Sequence, residues 1–184
     1  IAMLAPDREA EAESLVGEAG GHPMFLHELA RHVTGTRTTS SRFEDALWAR
    51  VLRMEHQARR VLELVAVAGA PVQQGVVGQA LELEPPTLTK LLGELRGSSL
   101  VRIGGTRMMD LVEPYHDRVR EAIAARVPEP RRRRYHERLA DVLLASKHGG
   151  LDPLAAIRHL EAAGAVQHAG ELAMQAAPRA EDKL

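Results

Sequence analysis

Apolar residues recur at helical spacing along most of this chain, and the rhythm breaks clearly only once, between residues 100 and 112. Before the break, Leu88, Leu91, Leu92 and Leu95 follow Pro85-Pro86, which predicts a helix closed by Gly97. Leu100–Ile103, the pair Gly104-Gly105, and Thr106–Val112 then read as two short strands joined by a Gly-Gly turn. Three further helices precede Pro85: one with Phe43, Leu47, Val51 and Met54 on one face, one with Val61, Leu62, Val65 and Ala68 ending at Gly69, and one over residues 72–82. Helices followed by a β-hairpin give the order of a winged helix-turn-helix. Aromatic residues are only 3% of the chain while hydrophobic residues are 45%, so the core must be built from Leu, Val and Ala. That composition suits stacked helices better than a β-sandwich.

Upstream, residues 6–19 and a segment opened by Pro23 form two short helices, separated by Gly20-Gly21. Residues 34–41 form a polar linker. Downstream, a helix over residues 116–127 carries Val119, Ile123 and Val127. Helical segments at 131–147, about 152–163 and about 165–183 follow it, in the manner of an α-solenoid start. The expected organisation is mainly α: a helical lid (1–41), a winged helix (42–127) and the start of TPR-like helical repeats (128–184). The sequence opens Ile1-Ala2-Met3, which reads as a piece of a longer protein.

Charge and motifs exclude more than they assign. Net charge is −1, divided as −3, +1 and +1 over the three segments. No segment carries the positive excess that favours nucleic acid. Cysteine is absent, which removes disulfides, thiolate nucleophiles and cysteine-based zinc sites. No apolar run approaches the ~20 residues of a membrane span, so a soluble, cytoplasmic protein is expected. No glycine-rich loop is followed by Gly-Lys-Ser/Thr, and no Gly-x-Ser-x-Gly elbow occurs, so no catalytic residue is expected. His27-Glu28-Leu29-Ala30-Arg31-His32 has one residue too many for a zinc-protease helix. Its second imidazole lies about 140° around the helix from the first, and no metal site is expected. As a DNA reader, the third winged-helix helix offers Thr87, Thr89, Lys90, Glu94 and Arg96, and the wing adds Arg102 and Arg107. This is a weak phosphate and base reader, and DNA is not the expected partner. Arg131–Arg134 spread around a helix, Arg133 and Arg134 have Glu137 within reach and Arg138 has Asp141, so a solvated, salt-bridged helix start is expected.

Two motifs carry a family resemblance. Gly20-Gly21-His22-Pro23-Met24-Phe25-Leu26-x-Glu28-Leu29 resembles the lid helix of STAND-class signal-transduction ATPases, with Met24 where leucine is usual. Glu113-Pro114-Tyr115-His116-Asp117-Arg118-Val119-Arg120-Glu121-Ala122 resembles the His-Asp motif that ends their winged helix, with Tyr115 where phenylalanine or methionine is common. Ala58–Gly69 is similar to the family's first winged-helix core helix. His136-x-x-Leu139-Ala140 and Ala162-Ala163-Gly164 are similar to the helical-repeat start of large bacterial regulators, some of them fused to Ser/Thr kinases. The resemblance implies a non-catalytic regulatory fragment that couples nucleotide state to conformational switching and partner binding. It implies ADP or ATP as ligand only together with an upstream ATPase core of the same chain, and none for the fragment alone. Pro23 would pack on the adenine and His116 would contact the ADP β-phosphate. A protein partner would bind the helical repeats. A DNA-binding regulator and a helical interaction scaffold are the competing readings.

Overall fold

The computed structural model describes residues 39–145 and 153–176. Ile1–Met54 and Glu55–Leu184 are two compact units. Pro23, the His27–His32 segment and the two lid helices lie outside the described residues. In the first unit the described structure is one helix, α1 (Thr39–Leu52). Of its expected apolar stripe Leu47 and Val51 are buried, with Ala46 beside them, while the Phe43 side chain lies outside what is described. It also begins inside the stretch read as a linker, and Met54 falls beyond its end.

The second unit opens on α2 (His56–Ala68), started by Glu55, whose carboxylate accepts from the Gln57 N–H at 3.2 Å. The helix stops at Gly69, whose φ of 74° is left-handed and suits a residue without Cβ. Residues 61–67 of α2 are buried on every side. The cause is its position: α2 packs on α3 (Gln74–Leu81), α4 (Pro85–Gly97), α5 (Asp117–Ala124), α6 (Glu129–Ala145) and a strand of the sheet. A helix surrounded in this way needs an all-round apolar surface.

The sheet has three antiparallel strands in the order β1-β3-β2: β1 (Val72–Gln73), β2 (Val101–Ile103) and β3 (Leu111–Pro114). Val72 pairs with Val112 and Val101 with Pro114. Pro114 therefore ends the central strand beyond the reach of β1, where its missing N–H breaks no ladder bond on that side. The element order α2-β1-α3-α4-β2-β3 is that of a winged helix. Two expectations are corrected. Val72 and Gln73 belong to a strand and not to the following helix, which starts at Gln74. The hairpin connection spans residues 104–110 and not a Gly-Gly turn. Beyond one bond from Gly104 N–H to Leu111 O at 2.9 Å, its backbone meets the start of α3: Gln74 N–H donates to Asp110 O at 3.0 Å and Gly75 N–H to Met108 O at 2.8 Å.

Beyond α5, α6 packs against α2 and α3, then against α7 (Pro153–Ala163), which packs on α8 (Val166–Ala176). Ala140, Ile157, Leu160 and Ala169 form the small core of this hairpin stack. The molecule is mainly α with one small sheet, as expected.

Candidate functional site

His116 ends the β3–α5 junction. Its backbone is extended, φ −144° and ψ 153°, and it occupies the N-cap position of α5 without a side-chain capping bond. The ring meets Tyr115 edge-on at 4.8 Å between centroids, and Nε2 is sealed from solvent. The recess beside it has a volume of about 190 Å³ and is lined by Gly69–Pro71, Arg102, residues 113–117 and Arg120. Arg102 pairs with Glu113 across the strands at 3.2 Å. Arg120 pairs with Asp117 at 3.7 Å and Glu121 at 3.2 Å. The two cations that could meet a phosphate are thus held by carboxylates, and an anion entering here must displace them. Pockets for whole small molecules run to about 300–1,000 Å³, so the recess fits the phosphate end of a nucleotide and not the nucleotide itself. Pro23, the other expected contact, lies outside the described residues.

The winged-helix face weighed as a weak DNA reader is largely self-satisfied. Lys90 lies 3.8 Å from Glu94, and the Thr89 hydroxyl donates to Pro85 O at 2.9 Å. Arg102 is the cross-strand partner of Glu113. The wing is folded back: Arg107 N–H donates to the Asp110 carboxylate at 2.8 Å, and Gln74 Nε2 donates to Gly105 O at 2.9 Å. Ser98-Ser99 is a turn, with Ser99 at a left-handed φ of 54°.

Three clusters escaped sequence reasoning. In the first, Glu63 is 1% exposed within the apolar run of α2 and accepts from the Tyr135 hydroxyl at 2.8 Å and from Arg131 Nη1 at 3.3 Å. Arg59 stands 3.8 Å away. Burial, and then the bond to Glu63, hold the Tyr135 hydroxyl well above the ordinary tyrosine pKa. In the second, His136 and His159 face each other with Nδ1 atoms 3.0 Å apart. One Nδ1 donates and the other accepts, so the neutral pair holds two different tautomers. Burial, then His136 and Arg158, push His159 down to about 4, and burial followed by Arg132 lowers His136.

The third cluster corrects the reading of the arginine run. Arg132 and Arg133 pair with Glu129, three and four residues earlier, not with Glu137. Arg138 reaches Ala80 O at 2.9 Å and Glu82 at 3.5 Å, not Asp141. Arg131, Arg134 and Arg138 instead share one face with Tyr135, and with His56 and Arg60 of α2 they enclose a cavity of about 250 Å³. The spacing 131, 134, 135, 138 was visible in the sequence as a helical stripe, but its partner helix was not.

Among the described residues no group of His, Cys, Asp and Glu side chains is arranged to hold a metal ion. None of the described helices is long and apolar enough to cross a membrane. No protein-family model matches the chain, and neither a curated protein nor a solved structure matches it.

Proposed function

We propose that this chain is a non-catalytic, cytoplasmic regulatory segment of a multidomain signalling ATPase of the STAND class, coupling nucleotide state to conformational switching and partner binding. The observation that carries the reading is His116 at the β3–α5 junction, with Nε2 enclosed and Arg102 and Arg120 lining the same recess. ADP held by an upstream core of the same chain presents its terminal phosphate to this recess, with Pro23 against the adenine. The imidazole donates an N–H to a phosphate oxygen once its enclosed edge turns into the recess, and Arg102 and Arg120 supply charge once drawn from their carboxylates. The closed arrangement is favoured by the difference in ADP affinity between closed and open forms, and nucleotide exchange releases it. Two further features support a regulatory role. The wing is tied back to α3 and is not extended as a groove reader. The α6–α8 stack is joined to α2 through Glu63, Tyr135 and Arg131, so movement of the winged helix is passed to the surface offered to a protein partner.

In the complete protein, His116→Ala is expected to raise basal activity in the absence of the signal. Unchanged or lower basal activity counts against the reading.

A further inference from the structure

The cavity between α2 and α6 stands apart from the His116 recess, whose arginines are matched by carboxylates in its own lining, and is lined by positive charge. His56, Arg60, Arg131, Arg134, Tyr135 and Arg138 line it, and no carboxylate does. Glu63 is shared between Arg131 and Arg59, and Arg138 pairs with Glu82. Arg60 and Arg134 form no ion pair with any carboxylate among the described residues, so at least two positive charges are left over. Their placement is unfavourable in the free protein. Arg134 lines the same cavity as Arg60, Arg131 and Arg138, and like charges gathered there repel one another. Glu129 relieves Arg132 and Arg133, whose bonds hold its carboxyl below the usual range, and it leaves Arg134 untouched. The buried Glu63, fixed by the Tyr135 hydroxyl, holds Arg131 at the cavity from behind.

We propose that this cavity binds a phosphate group carried by a small soluble molecule. Two uncompensated charges match the roughly −1.5 to −2 of a phosphate monoester at neutral pH. Guanidinium groups present paired N–H donors suited to its oxygens. At about 250 Å³ the cavity falls below the ~300 Å³ at which whole-ligand pockets begin, so it takes a phosphate or diphosphate head with the rest of the ligand outside. A nucleic-acid backbone needs a basic track, and the adjoining cations of α6, Arg132 and Arg133, are already paired with Glu129.

The test uses the 184-residue chain with inorganic pyrophosphate as probe, at low ionic strength, read by melting temperature and by calorimetric titration. Pyrophosphate is expected to raise the wild-type melting temperature. The double variant Arg60→Gln/Arg134→Gln is expected to bind it at least about tenfold more weakly. Without pyrophosphate that variant should melt no lower than the wild type, because like-charge repulsion has been removed, which separates a ligand site from a structural role. His116→Ala should leave pyrophosphate binding unchanged. The proposal is overturned if the wild type does not bind, if the double variant binds equally well, or if His116→Ala abolishes binding. It is also overturned if duplex DNA or a phosphopeptide binds the same arginines and pyrophosphate does not displace it.

Discussion

Glu63 shows what a single residue contributes here. A carboxylate inside the run Val61-Leu62-Glu63-Leu64-Val65 is tolerated because Tyr135, Arg131 and Arg59 supply its partners. Tyr135→Phe keeps the ring and removes one donor from a buried acceptor, a loss of about 1–3 kcal/mol. The urea midpoint should fall accordingly with unchanged slope, and an unchanged midpoint would contradict the network. The His136–His159 pair acts on pH dependence. In the unfolded chain both imidazoles titrate near 6.5, whereas in the native state both are depressed, His159 to about 4. As pH falls through this window the unfolded chain takes up more protons than the native one, so stability is full above about 6.5 and is lost towards 4. With solvent screening, His159 contributes on the order of 1–2 kcal/mol of that loss. Denaturation midpoints from pH 7 to 4.5 should show the decline, and His159→Gln should flatten it; an identical slope in the variant would contradict the pairing.

At the scale of elements, the wing is the part whose conformation departs most from the pattern of its sequence. Thr106–Val112 reads as a strand after the Gly-Gly pair, but the Asp110 carboxylate folds back onto the Arg107 amide and the connection docks on α3. Gly105 permits this. A Cβ there would collide with the Asp110 carboxylate that closes the loop. Gly105→Ala should lower stability by about 1–2 kcal/mol. It should also speed hydrogen exchange at the Gln74 and Gly75 amides, which bond to the wing backbone. Unaltered protection of those two amides would mean that the wing is held by something else. The helices were legible because apolar spacing and stop signals such as Gly69 and Pro85-Pro86 are local properties. β1 was not, because two residues paired with a strand far along the chain leave no periodicity to read.

For the whole molecule, the same limit governs the sites. His116 was legible as one residue of a motif, but its ion-paired neighbours Arg102 and Arg120 come from a strand and a helix that only folding brings together. The arginine cavity was hidden for a stronger reason. Glu63 and Tyr135, 72 positions apart, fasten two helices whose arginines read separately as solvated charge. The expected junction at 127–128 falls between α5 and α6, and the tail beyond it packs with the winged helix in the compact unit Glu55–Leu184. A winged helix joined in this way to a helical stack is suited to transmit a displacement, which is the work proposed for it. The direct measurement is the ADP dissociation rate of the complete protein with and without His116. The account predicts that His116→Ala releases ADP at least about tenfold faster, together with higher basal output; an unchanged release rate would contradict it.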